Sequence, residues 1–196
     1  MLPLIDRATP VLVVDLEATC DAYAPHWQME IIEIGAAWCT VDGDVLDTFR
    51  SFVRPVLNPL LTPFCLELTG ISQADVDRAA SFAAVAGKLQ AFSAKRSTTV
   101  ADPVCWLSWG EWDSRQLLHE AERHGAAVPI GLPHVNAKRA FARRQRIGKE
   151  VGLRKACELV GLGWIGTHHR ALDDVLNVVR LMPWVVGQLT PRSITG

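Results

Sequence analysis

The segment VLVVDLEATCD, Val11–Asp21, decides the architecture. Its first six residues, Val11–Leu16, form a short apolar run that reads as a central strand with both faces buried. Asp15 and Glu17 stand two apart at the end of that strand. Side chains alternate across a strand, so both carboxylates project from one face. Two carboxylates this close repel unless a cation lies between them, and hard oxygen ligands suit Mg²⁺ or Mn²⁺. Alone, an Asp-x-Glu pair equally describes solvated acids at a strand end, so it needs partners elsewhere in the chain.

Outward from that strand, EIIEIGAAWCT (about 30–40) and VLDTFRSFVR (45–54) read as two more strands. Asp42-Gly43-Asp44 between them supplies the positive φ of a hairpin turn. A short helix is expected after Thr62, an N-cap followed by Pro63, and stops at Gly70. Ser72 and Asp75 form a capping box that opens the next helix, and Ser81–Lys95 is amphipathic. Pro103–Ser108 and Pro133–Asn136 read as strands. Helices are expected over Glu111–His124, Ala137–Gln145, Leu153–Val160 and Ala171–Val186. Three successive strands followed by alternating helices and strands predict an α/β domain with a mixed sheet. No repeat or linker-like stretch divides it, so residues 1–196 are expected to form one domain with its core over about 11–186.

Composition narrows the class. Of 196 residues, 49% are hydrophobic and 21% charged, which excludes a disordered chain. No apolar run reaches the roughly 18 residues that span a bilayer. The opening MLPLIDRATPVLVVD lacks a basic stretch and a small-residue cleavage site. The expectation is a cytoplasmic protein with no membrane partner. Its five cysteines, Cys20, Cys39, Cys65, Cys105 and Cys157, form no CxxC pair and read as small buried hydrophobes in a reducing compartment. Net charge is −1, yet Lys138, Arg139, Arg143, Arg144, Arg146, Lys149, Arg154 and Lys155 gather in one stretch with Glu150 the only acid. Such a stretch is either a solvated basic face or a phosphate-neutralising surface.

Two further acids are candidate partners for Asp15 and Glu17. Asp113, in SWGEWD (Ser108–Asp113), follows a strand and falls in the first turn of a helix, where the dipole favours an acid whatever the function. THHRALDD (Thr167–Asp174) offers two histidine–aspartate pairs of equal spacing, His168 with Asp173 and His169 with Asp174. Helical periodicity places Asp173, Asn177, Arg180 and Gln188 on a polar, solvated face. Asp174 aligns with Val178, Leu181 and Val185 at the edge of the apolar face. A carboxylate turned toward the core needs compensation, which a metal provides, so Asp174 is the better ligand. His169 then precedes the helix in a loop, free to meet a water.

VVDLEATCD, SWGEWD and HRALDD, in this order, resemble the three motifs of the DEDDh exonucleases. EIIEIGA, RPVLNPLLTPFCLELTGISQADVD (Arg54–Asp77) and HRALDDVLN narrow the resemblance to the histone-mRNA/enhanced-RNAi type of 3′→5′ exonuclease and the related bacterial KapD-type proteins. That resemblance implies an RNase H-like fold, a five-stranded mixed sheet flanked by helices. It implies two divalent ions, Mg²⁺ or Mn²⁺, held by Asp15, Glu17, Asp113 and Asp174, with His169 as general base. The implied reaction releases nucleoside 5′-monophosphates from single-stranded 3′ ends, RNA favoured. Ala18, Thr19, Leu66, Leu68 and Thr69 would position the terminal nucleotide. Trp109 and Trp112 either stack on bases or pack in the core. Cys20, Asp21 and Glu33 also match family positions and receive no role. About ten residues precede the first strand, so the added recognition domain of eukaryotic relatives is not expected. Two other readings share the sequence: a DNA-directed proofreading or repair exonuclease of the same superfamily, and a regulatory binding module that keeps the fold.

Overall fold

The structure is a computed structural model that describes residues 7, 9–22, 28–94 and 105–190. Residues 1–6, on which part of the leader reading rests, and the expected ends at Lys95 and Pro103 lie outside that range. Strands β1 (Val11–Ala18), β2 (Ile31–Cys39), β3 (Val45–Phe52), β4 (Trp106–Ser108) and β5 (His134–Asn136) form a single sheet in the order β3-β2-β1-β4-β5. β1 pairs antiparallel with β2 and parallel with β4; β3 is antiparallel and β5 parallel to their neighbours. The chain therefore has the mixed five-stranded sheet of the RNase H-like exonucleases, with β1 at its centre.

Alternation along β1 feeds both layers. Val11 and Val13 pack under helices α5 (Ala137–Arg144), α6 (Leu153–Leu159) and α7 (Ala171–Val185). Leu12, Val14 and Leu16 face α3 (Phe82–Ser93) and α4 (Trp112–Arg123). Each aliphatic side chain so buried contributes about 1.5–3 kcal/mol. A third, smaller core of Ile32, Leu61, Cys65, Ile71 and Val76 sits beneath α1 (Pro63–Thr69) and α2 (Gln73–Asp77). Asp15 and Glu17 share the register of Val11 and Val13, so they open toward α7.

Local chemistry sets the boundaries. Thr62 Oγ1 accepts the Cys65 N–H at 3.1 Å with Pro63 in the first turn, and Gly70 ends α1 at φ 63°. The Ser72–Asp75 capping box is formed from both sides. One face differs from the sequence expectation. Asn177 is fully buried rather than solvated, because residues 163–167 fold across it. Its amide donates to Ile165 O at 2.9 Å, and Arg180 donates to Gly163 O at 2.8 Å. The polar face of α7 meets backbone instead of water.

Candidate active site

Three elements meet at the carboxylates. β1 presents Asp15 and Glu17, the turn after β4 presents Asp113, and the first turn of α7 presents Asp174. An oxygen from each of Asp15, Glu17 and Asp174 lies within 4.8 Å of the other two. Asp113 does not join that trio at the same spacing. Its Oδ1 accepts the Leu16 N–H at 3.2 Å, and the Ser108 hydroxyl hydrogen-bonds its carboxylate. Ser108 is in turn 2.9 Å from His134 Nε2, so the turn that carries Asp113 is braced from β5.

Crowding and burial set the charge state. Burial, then Asp113, Glu17 and Asp174, raise the Asp15 pKa well above its ordinary value. Burial and the neighbouring acids push Glu17 up to about 9. Burial lifts Asp174 to about 7 and Asp113 to about 6, despite hydrogen bonds that pull both down. Asp174 receives a backbone N–H from His169, yet its Oδ1 is buried with no hydrogen-bond partner. An orphaned carboxylate oxygen facing two more carboxylates fits a divalent cation and little else.

His169 sits in the loop before α7 with φ 63°, a left-handed conformation that few non-glycine residues adopt. A ring nitrogen of both His168 and His169 falls within 4.8 Å of Asp174 and of each other. Helical periodicity separates the two histidines, but the structure brings both to Asp174, since their rings lie 3.9 Å apart. Trp164 meets the His168 ring edge-on at 4.9 Å. Burial lowers the His169 pKa below 6.5, which favours the neutral imidazole.

Glu33 is the residue that sequence reasoning left without a role. It stands opposite Glu17 in the β1–β2 register and is fully buried. Its carboxylate accepts Arg50 Nε–H at 2.5 Å and the Ala171 N–H at 3.1 Å, and it lies 3.4 Å from Arg170 Nε. The first turn of α7 has no side-chain cap of its own. Glu33 supplies the acceptor from across the sheet and so fixes the entry of the helix that carries Asp174. Gly35, paired with Asp15, completes the junction: a Cβ there would lie 2.4 Å from the Ala171 carbonyl carbon.

The expected substrate wall divides. Leu66 and Leu68 of α1 are exposed, as apolar surfaces for a base must be. Thr69 is buried instead; its hydroxyl donates to Cys65 O at 2.8 Å and accepts the Ile71 N–H, so it closes α1. Thr19 is likewise a tie, its Oγ1 accepting the Glu30 N–H at 2.9 Å. Ala18 is buried, and its carbonyl accepts the Cys65 thiol. Trp109 is half-buried against Phe141 with its indole N–H on Val151 O, and Trp112 packs against the core beneath α4. All five cysteines are free, but Cys20 is only half-buried and hydrogen-bonds Cys65.

Residues 12–182 match the RNase T family model, described as exonuclease. The chain belongs to this exonuclease family. ERI1 exoribonuclease 3 of Homo sapiens is 34% identical over 184 residues, covering 87% of this chain and 52% of the relative. The chain spans about half the length of these curated relatives. The nuclease domain of 3′hExo, a DEDDh family member bound to rAMP, superposes with a TM-score of 0.81 at 28% identity, covering 92% of each chain. A 3′-exonuclease structure showing 3′-end specific recognition of the histone mRNA stem-loop has the same TM-score at 25% identity. It covers 94% of this chain and 67% of that chain. The DEDDh exonucleases use divalent metal ions, and the acids of this member form a set able to hold them.

Proposed function

We propose that residues 11–186 form a single catalytic domain that removes nucleoside 5′-monophosphates from single-stranded 3′ ends, RNA in preference to DNA. The observation that carries this reading is the buried trio of Asp15, Glu17 and Asp174 with one oxygen unsatisfied. Two divalent ions, Mg²⁺ or Mn²⁺, would be held by those three acids and Asp113. Bound there, they supply Lewis acidity at phosphate and an easily ionised water. The RNA preference is supported by the exoribonuclease and rAMP likenesses. Free cysteines support a reducing, cytoplasmic setting, and among the described residues no helix is long and apolar enough to cross a membrane.

The chain's own residues have separate tasks. The carboxylates fix where the phosphate lies. His169, neutral because burial disfavours its charge, takes a proton at its imidazole. The backbone N–H of His169 on Asp174 ties that base to the carboxylate set. Leu66 and Leu68 exclude water beside the terminal base.

The test is digestion of 5′-labelled single-stranded RNA and DNA of one sequence with Mn²⁺, with EDTA, and by two variants. A metal-dependent ladder that shortens from the 3′ end, faster on RNA and absent in Asp15→Asn, is expected. His169→Ala should lose about 10²–10⁴-fold in rate, together with the decline in activity below about pH 6.5. No digestion of either strand would turn the reading to a binding module, and faster DNA cleavage would turn it to a DNA-directed enzyme.

A further inference from the structure

Outside the carboxylate site, a second feature of the molecule is basic and open. A groove of about 490 Å³ runs between α5 and residues 146–150, lined by Arg139, Arg143, Arg146, Gly148, Lys149 and Glu150. Four cations face one acid, and that acid is already engaged: Arg139 Nε donates to Glu150 at 3.0 Å. Arg143, Arg146 and Lys149 are exposed and pair with no carboxylate among the described residues. Arg139 and Arg143 stand at i and i+4 on α5, which places their Cβ atoms roughly 5–6 Å apart on one face. Beyond α5 the backbone bends. Arg146 holds φ 53° and Gly148 φ 76°, so the chain turns back and adds Lys149 to the same groove. Arg146 takes the left-handed position that closes α5, with the Ile147 N–H donating to Ala142 O at 3.2 Å.

The groove is joined to the carboxylates. Arg139 Nη1 donates at 3.0 Å to Glu111, two residues before Asp113, and Trp109 donates its indole N–H at 3.1 Å to Val151 O. Both ties run from the Asp113 turn to the groove wall. We infer that this groove binds the phosphodiester backbone of the single strand whose 3′ end lies at Asp15 and Asp174, a conclusion that rests on the exonuclease reading. Arginine forks match phosphate oxygens in pairs. An acidic protein segment is the poorer occupant, because protein interfaces need apolar anchors and the groove offers only Ala142.

The experiment compares an RNA 12-mer with the dinucleotide of its 3′ end, using the intact protein and the triple variant Arg143→Glu, Arg146→Glu, Lys149→Glu. A milder pair, Arg143→Gln with Lys149→Gln, guards against misfolding of the triple. The 12-mer KM should rise tenfold or more while kcat and dinucleotide KM stay put. The slope of log KM against log salt should fall by about 0.7 for each phosphate that the variant no longer neutralises. An unchanged 12-mer KM in both variants overturns the groove. Binding of the labelled 12-mer to Asp15→Asn, with and without the groove substitutions, is read by anisotropy and needs no cleavage. If the unaltered protein cleaves nothing, the exonuclease reading fails, and this binding arm still decides the groove. Competition by a glutamate 12-mer as strong as by unlabelled RNA would also overturn it.

Discussion

Glu33 shows how one buried charge holds a catalytic helix in place. It accepts the N–H of a residue 138 positions along the chain and sits between two guanidiniums. Burial lifts its pKa while Arg50 pulls it down, so the carboxylate stays useful only because those partners are present. Glu33→Gln keeps an acceptor for Ala171 but removes the charge between Arg50 and Arg170. Chemical denaturation should show a loss of about 2 kcal/mol, modest because both arginines keep access to water. Glu33→Ala also drops the acceptor and should lose about 1 kcal/mol more. Equal stability of the three proteins would show that Glu33 braces nothing. A sequence cannot reveal this role. An acid inside EIIEIGA looks like any strand acid until Arg50 and Ala171 are folded onto it, whereas Asp15 and Glu17 announce themselves by spacing.

At the scale of elements, the junction of β2 with α7 places Asp174. The helix lies against Gly35 so closely that no side chain fits between them. Gly35→Ala must lift the start of α7. The expected result is a loss of about 1–3 kcal/mol in stability together with a fall in kcat of roughly 10²-fold, since misplacement by about 1 Å costs that much. Wild-type turnover in a folded Gly35→Ala protein would refute the tight junction. The caps and turns here are legible in the sequence: Thr62, Gly70, the Ser72–Asp75 box and the Gly43 turn all act through their immediate neighbours. The polar face of α7 is not. Periodicity says which side chains share a face and is silent on what covers it, so Asn177 reads as solvated although residues 163–167 close over it. The same loop carries His168 back to Asp174, which spacing along a helix could not foresee.

For the whole molecule, the acids make stability depend on pH in a defined direction. Asp113, Asp174 and Glu17 have folded-state values of about 6, 7 and 9, all above their ordinary 3.8 to 4.5. Between those ordinary values and about pH 9 the metal-free folded protein holds more protons than the unfolded chain, so its stability falls as pH rises. Tm measured in EDTA should therefore decline from pH 5 to pH 9. Mg²⁺ or Mn²⁺ binds the deprotonated acids, so the rise in Tm on adding it should grow over the same range, with protons released. A metal-independent, flat profile would mean that the carboxylates do not share a cation. The scale of the effect follows from burying two acids of the central strand against acids from the first turns of α4 and α7.

The centre of that sheet also joins distant stretches of the chain in time. β1 is synthesised before α7, and His169 and Asp174 come with α7. At roughly 5–20 residues per second, a growing chain spends seconds with Asp15, Glu17 and Asp113 exposed to the ribosome's surroundings and no fourth acid or base to complete them. Any hydrolysis at this site is therefore withheld until α7 has been made and has docked on β1.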